Sequence, residues 1–91
     1  MTIMTIWKFP LLVKAEQELS LPRGAQFLCC RLQDATPTIW VLVDDTPGVT
    51  KETRLIHMHG TGHNVLSDSC YIGTVQLNGV VRHYFEARCR I

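Results

Sequence analysis

The sequence has no long apolar run, no excess of charge of either sign and no signature of a known catalytic class. No apolar stretch approaches the roughly 20 residues needed to cross a bilayer, and the N-terminus lacks the pattern of a signal peptide. Nine basic and eight acidic residues leave a net charge of +1, so the basic surface expected of a nucleic-acid-binding protein is missing. These absences predict a cytoplasmic protein that binds neither membranes nor nucleic acids.

Cysteine is present, but its spacing matches no metal site. The four cysteines are Cys29, Cys30, Cys70 and Cys89, and no two of them form a Cys-x-x-Cys pair. Cys29 and Cys30 are adjacent and would point to opposite faces of a strand, which argues against a zinc site built from both. Because the chain has no export signal, we expect all four to be reduced, buried, apolar side chains.

The length of 91 residues predicts one domain, residues 1–91, with a single core. Met1-Thr2-Ile3 is repeated as Met4-Thr5-Ile6, so Met4 is an alternative start and residues 1–3 are expected to be disordered. A small isolated sheet has unpaired edges that association would cover. The length therefore also predicts a homo-oligomer.

Alternation of apolar and polar residues with a period of two dominates the chain and predicts strands. Asn78-Gly79 supplies the positive φ angles of a tight hairpin turn, and Trp40 lies in an apolar segment expected to be core. A short helical turn is an alternative at residues 14–18, and residues 64–69 are a connection that could hold one helical turn but whose composition favours a loop. The fold class is therefore all-β, an antiparallel sandwich or barrel of six or seven strands, with candidate strands at residues 7–11, 16–21, 25–32, 38–43, 54–59, 71–77 and 80–85.

The strongest candidate site is His57-Met58-His59-Gly60-Thr61-Gly62-His63, which holds three of the four histidines. Glycines let the backbone adopt positive φ and expose consecutive amide N–H groups, a geometry that binds anions. We expect Gly60, Thr61 and Gly62 to form an open, amide-lined cup. His63 and His59 would contact an anionic group there, while Tyr71 or Trp7 packs on a ring of the ligand.

A metal site is the alternative interpretation of the same segment. His57 and His59 lie on one strand face, and His63 would fold back over them to complete a three-imidazole zinc or iron site. The nearest carboxylate, Asp68, has no spacing suited to a ligand or to a partner of a ligating histidine. The sequence thus predicts no cofactor, with the three histidines as the alternative metal ligands.

Catalysis is not predicted. The chain contains no Gly-x-Ser-x-Gly elbow and no pattern that places a base against a nucleophile. The Gly60-Thr61-Gly62 turn is not followed by the helix that a Walker or Rossmann motif requires. Binding without turnover is therefore the expected activity.

Several segments, taken together, resemble a family of small uncharacterised proteins from phages and prophages. They span residues 4–86 and are Thr5-Ile6-Trp7-Lys8-Phe9-Pro10-Leu11, Leu21-Pro22-Arg23-Gly24-Ala25, Trp40-Val41-Leu42-Val43-Asp44, Gly60-Thr61-Gly62-His63, Tyr71-Ile72-Gly73-Thr74-Val75-Gln76 and His83-Tyr84-Phe85-Glu86. His57 and His59 do not follow the pattern of these proteins, which favours the Gly-Thr-Gly-His turn over the metal site.

The resemblance implies a phage or prophage origin but supplies no activity. By analogy with other small phage proteins, we expect an anti-defence protein in the host cytoplasm that sequesters a nucleotide immune signal. The competing expectation is a protein-interaction module that inhibits a host defence protein. A virion-associated structural protein is a third.

Overall fold

The computed structural model describes residues 2–89 and contains seven strands and no helix in that range. The strands form two antiparallel sheets, with the orders β1-β4-β3 and β2-β5-β7-β6. The all-β prediction is confirmed, whereas the alternative of a helical turn at residues 14–18 is wrong. The strands are β1 (Met4–Pro10), β2 (Glu16–Pro22), β3 (Gln26–Gln33), β4 (Thr36–Asp44), β5 (Lys51–Gly60), β6 (Cys70–Leu77) and β7 (Val80–Glu86).

Two tight turns have positive φ angles at both central residues. Asn78 and Gly79 have φ angles of 52° and 77°, so the predicted hairpin between β6 and β7 is confirmed. Asp34 and Ala35, with φ angles of 50° and 62°, close the β3–β4 hairpin. This second turn is shorter than expected from the sequence, because residues 36 and 37 already belong to β4.

The core lies between the two sheets and is built from alternate residues of each strand. In β4, Ile39, Val41 and Val43 are fully buried, and Ile56 of β5 and Tyr84 of β7 face them from the other sheet. Trp40 lies on the opposite face of β4, only half-buried and outside the core cluster. The expectation that Trp40 is a core residue was wrong because β4 is buried on one face only.

The sheets approach each other most closely where β3 meets β6. A Cβ atom on Gly73 would lie 2.6 Å from the carbonyl oxygen of Cys30, so only glycine fits at this contact. Each strand carries a β-bulge beside it, between Phe27 and Cys29 in β3 and between Tyr71 and Gly73 in β6. A bulge bends its strand, and the two bulges lie on the facing edges of the two sheets.

The cysteines divide into a pair and two free thiols. Cys70 and Cys89 form a disulfide with a Cα–Cα distance of 5.4 Å, which joins the first residue of β6 to the segment that follows β7. Cys30 is buried, and Cys29 is half-buried. The expectation of four reduced cysteines was therefore wrong for Cys70 and Cys89.

Of residues 1–3, for which disorder was expected, Ile3 is held by two hydrogen bonds. Its N–H donates to Thr46 Oγ1 at 3.1 Å, and its carbonyl accepts from the N–H of Asp45 at 2.7 Å. Met1 lies outside the described residues. Within residues 2–89, no helix has the length and apolar character needed to cross a membrane.

Candidate ligand-binding face

The alternation of β5 places its histidines on the outer face of the four-stranded sheet. Ile56 is fully buried and Met58 packs against the core, so His57 and His59 point away from it. Pairing between strands extends this face sideways: His57 is opposite Phe85, and His59 is opposite His83. The sequence thus assembles imidazole and aromatic rings on one surface, which we call the histidine face and define as His57, His59, His63, Tyr71, Thr74, His83 and Phe85.

The rings of this face contact one another edge-on. Ring centroids are 5.9 Å apart for His57 and His59, 5.8 Å for His59 and Phe85, and 5.5 Å for Phe85 and Tyr71. Edge-to-face packing is the favoured arrangement of aromatic pairs. Tyr71, at the end of this row, is 60% exposed and offers the most accessible aromatic surface of the four rings.

The Gly-Thr-Gly-His turn closes on itself. Gly62 has a φ of 87°, and the N–H of His63 donates to the carbonyl of Gly60 at 3.2 Å. The imidazole of His63 folds back over Gly60, where its Nδ1 accepts the Gly60 N–H at 3.2 Å. The open three-amide cup expected from the sequence is therefore wrong, because the fourth residue of the turn already binds the first amide.

A chain of hydrogen bonds joins this turn to Tyr71. Thr61 Oγ1 lies 2.9 Å from His83 Nε2, His83 Nδ1 lies 2.9 Å from Thr74 Oγ1, and that hydroxyl lies 2.7 Å from the Tyr71 hydroxyl. A neutral His83 donates from one ring nitrogen and accepts at the other, so all three hydrogen bonds can run in the same direction. The hydroxyl at one end of the series, that of Thr61 or of Tyr71, then keeps a proton that it can donate to a ligand. The chain fixes four polar side chains from the turn and two strands.

Residues 61–69 must cross this face. β5 and β6 both run antiparallel to β7, so they are parallel to each other, and a connection has to pass over β7. The inner side of β7 is filled by the core residue Tyr84, which leaves the outer side as the route. The Nε2 atoms of His57 and His59 are buried without a hydrogen-bond partner among the described residues, as expected for side chains beneath a crossing segment.

The electrostatics of the face favour the neutral form of His59. Burial lowers the pKa of His59, and the neighbouring imidazoles of His57, His63 and His83 lower this pKa further. Glu16 Oε2 lies 3.2 Å from His57 Nε2, but the two atoms are not aligned as a hydrogen bond. A neutral imidazole can both donate and accept a hydrogen bond, which suits recognition of polar ligands.

The three histidines of the alternative metal site do not converge. No group of three His, Cys, Asp or Glu side chains in the part of the chain that the structure describes has metal-binding geometry. His63 is turned onto Gly60, away from the arrangement that was expected.

Burial also raises the pKa of the Cys30 thiol to about 11, so this cysteine is a poor nucleophile.

The structure brings together six of the seven predicted binding residues, namely His59, Gly60, Thr61, Gly62, His63 and Tyr71. Trp7 is the exception: it lies opposite the buried Val41 and packs against the core from the other sheet. Sequence reasoning missed Thr74, His83 and Phe85. The Asn78-Gly79 turn sets a register in which Thr74 lies opposite His83. The predicted hairpin could therefore have shown that Thr74 and His83 are neighbours.

A second feature absent from the sequence predictions is a cavity of about 630 Å³ at the end of the sandwich. Arg54 borders it and donates to both carboxylate oxygens of Glu86, from Nε to Oε2 and from a terminal nitrogen to Oε1 at 2.9 Å. Arg54 also donates to the carbonyl of Ala25 at 2.8 Å and stacks over Phe27, with 4.8 Å between the guanidinium carbon and the ring centroid. Since the charges of Arg54 and Glu86 bind each other, the cavity is a weaker candidate than the histidine face.

Comparison with known proteins gives one result that covers nearly the whole chain. No curated protein and no solved structure matches the sequence. A family model described as "Domain of unknown function (DUF7352)" matches residues 3–90, a range that includes both the histidine face and the Arg54–Glu86 pair. The chain therefore belongs to the DUF7352 family.

Proposed function

We propose that the protein is a binding protein that captures a small anionic, ring-containing ligand at the histidine face and does not transform it. The observation that carries this proposal is the hydrogen-bonded chain from Thr61 through His83 and Thr74 to Tyr71. Groups held in place before binding lose less conformational entropy when a ligand arrives. The chain therefore gives the face a prepared polar array beside an exposed aromatic ring.

The closed turn changes where an anion would bind. The N–H of Gly60 is taken by His63, and the Gly60–Arg82 pairing turns the N–H of Thr61 towards β7, whereas the N–H of Gly62 finds no acceptor among residues 2–89. In the proposed complex the Gly62 amide and the outward hydroxyl of Thr61 contact the anionic group. The ring of the ligand stacks on Tyr71.

Capture explains the composition of the face better than catalysis does. Both ring nitrogens of His83 are bonded to threonine hydroxyls, and no carboxylate orients it as a general base. The resemblance to phage and prophage proteins supports a role in infection. The ligand class we propose within that role is a nucleotide signal of host defence.

The test is calorimetric titration of the protein with a panel of linear and cyclic nucleotides and with inorganic phosphate. Base stacking on an aromatic ring contributes about 1–3 kcal/mol, so Tyr71→Ala should weaken nucleotide binding roughly 5- to 150-fold. Gln76→Ala is the matched control and should bind as the wild type does. Gln76 lies on the same face of β6 but makes none of the hydrogen bonds that join Thr61 to Tyr71. Mass spectrometry should recover the ligand unaltered.

Three results would contradict the proposal. Binding of no nucleotide and no phosphate would remove the ligand class, and recovery of a modified product would replace capture by catalysis. Equal binding by Tyr71→Ala and wild type would move the site away from this face.

A second candidate function, inhibition of a host protein, is favoured by the outer face of the three-stranded sheet. Met4, Ile6 and Leu28 are 52%, 59% and 42% exposed there, with the half-buried Trp40 and Leu42 between them. Apolar clusters of this kind mark protein-interaction sites. If this function is correct, one stoichiometric bacterial partner should bind wild type and Tyr71→Ala but not Leu28→Glu.

A further inference from the structure

The four edge strands of the two sheets differ in how their open edges are protected. β3 and β6 face each other, with Gly73 against Cys30. β2 presents Glu16, Glu18 and Ser20 on its exposed face, and charged side chains discourage pairing with another chain. Among the described residues, no strand faces the open edge of β1, and the strand carries a single charged side chain.

The exposed side chains of β1 are mostly apolar. Met4 and Ile6 are 52% and 59% exposed on the outer face. Lys8, the one charge of the strand, is directed across the sheet, where its Nζ donates to Gln33 Oε1 at 2.8 Å. Because the Lys8 side chain points across its own sheet, it does little to prevent another strand from pairing with the open edge of β1.

The hydrogen-bond pattern shows which backbone groups of β1 are free to pair. The carbonyl of Ile3 accepts from Asp45, and the N–H of Leu11 donates to Pro37; both pairs continue the β1–β4 register. In an antiparallel pair, alternate residues bond to the same neighbour. The odd-numbered residues therefore face β4, and the N–H and carbonyl groups of Met4, Ile6 and Lys8 point away from the sheet.

We infer that β1 pairs antiparallel with β1 of a second copy of this chain about a two-fold axis at Ile6. Ile6 then lies opposite Ile6 of the second copy, and Met4 lies opposite Lys8. Three residue pairs, each exchanging two backbone hydrogen bonds, use the free groups of both edges. The two three-stranded sheets become one six-stranded sheet.

The same register also covers partly open side chains on the inner face. Thr5 and Trp7 are half-buried at the edge of the sandwich, and the two-fold places Thr5 of one copy opposite Trp7 of the other. Side chains opposite each other on paired strands pack directly together. Because Trp7 is an aromatic residue left partly exposed at an edge, this contact removes apolar surface from water.

Ile6→Lys tests the pairing, because two lysines would lie directly opposite each other at the two-fold axis. Sedimentation velocity over a wide range of concentrations should show a dimer for the wild type and a monomer for Ile6→Lys. Leu66→Lys is the matched control, since Leu66 is 62% exposed but lies in the segment between β5 and β6. That variant should remain dimeric, and circular dichroism should show all three proteins folded.

Cross-linking tests the register independently of stability. Hydrogen-bonded antiparallel partners have Cα atoms about 5.5 Å apart, within the range that a disulfide spans. In a Cys29→Ser background, Ile6→Cys should form a covalent dimer under mild oxidation. Met4→Cys should not, because the two copies of position 4 would lie roughly 14 Å apart along the strands.

A monomeric wild type overturns the inference, and so does a dimer that Ile6→Lys leaves intact. Cross-linking of Met4→Cys as efficiently as Ile6→Cys overturns the register. Ligand titration of the monomeric Ile6→Lys variant keeps the two proposals separate, because the histidine face lies on the other sheet and should bind nucleotide in either oligomeric state.

Discussion

Replacing Glu86 by leucine should remove a large share of the stability of this domain. The side chains of Glu86 and Arg54 are only 10% and 17% exposed, and Glu86 accepts two hydrogen bonds from the guanidinium. Removing one partner of a buried ion pair costs about 3–5 kcal/mol, since the other charge remains buried without compensation. Arg54 keeps the exposed Glu52 carboxylate at 3.4 Å, and water can reach it from the open cavity that it borders. We therefore expect a loss of about 3 kcal/mol, at the lower end of that range.

Glu52 provides a matched control on the same arginine. Its carboxylate lies 3.4 Å from Arg54, but its side chain is 39% exposed, so Glu52→Leu should cost under about 1 kcal/mol. The assay is urea unfolding followed by tryptophan fluorescence, in which the midpoint should fall without a change of slope. The double variant Arg54→Met/Glu86→Leu should be more stable than Glu86→Leu alone, because no unpaired charge remains buried.

The reasoning fails if Glu86→Leu loses no more stability than Glu52→Leu. It also fails if the double variant is less stable than Glu86→Leu, since the cost would then come from packing. A domain of this size is stabilised by about 5–15 kcal/mol, so a loss of about 3 kcal/mol is readily measured.

Three further predictions concern the contact between β3 and β6, the disulfide and the histidine face. Gly73→Ala should cost about 1–3 kcal/mol by overpacking against the Cys30 backbone, and unaltered unfolding in urea would contradict this. Reduction of the Cys70–Cys89 disulfide, 19 residues apart, should cost about 3 kcal/mol, and an unchanged melting temperature in reductant would count against it. Folding lowers the pKa of His59, so as the pH falls this imidazole is protonated in the unfolded state before it is protonated in the folded state. The free energy of unfolding should therefore fall as the pH decreases through about 6.5. His59→Asn should weaken this dependence, and equal pH profiles for the variant and the wild type would refute the assignment to His59.

The sequence predicted the strands where alternation and turn residues agreed. β5 is the best example, since the alternation that buries Ile56 also turns His57 and His59 outward. Asn78-Gly79 fixed the β6–β7 hairpin for the same local reason. These features depend on residues close together in the chain, so a single sequence suffices to find them.

Features that depend on which strands become neighbours were not predictable in this way. Trp7 and Tyr71 both begin strands predicted from the sequence, yet Trp7 lies in the middle of β1, and only Tyr71 belongs to the sheet that carries the Gly-Thr-Gly-His turn. The Cys70–Cys89 disulfide likewise requires the start of β6 to lie beside the end of β7. The bulge before Gly73 shifts that register by one residue, so counting back from the hairpin turn would misplace Tyr71.

The closure of the turn by His63 could not be predicted from the residue composition of the turn either. Glycines permit an amide-lined cup, but whether the cup stays open depends on the conformation of the next side chain. Here the imidazole satisfies the Gly60 N–H from within the turn. The residue that was expected to contact the ligand is instead part of what shapes its site.

The stabilising features of the four-stranded sheet are concentrated at one end of the histidine face. Cys70 and Glu86 are opposite each other in the register, one position before the Tyr71–Phe85 pair, so the disulfide and the Arg54 ion pair both hold that end. The Thr61–His83 end is held by exposed hydrogen bonds, which open more readily than buried ones. Tyr71 is therefore the fixed end of the proposed site, and a ligand that bridges the face would order the turn against it.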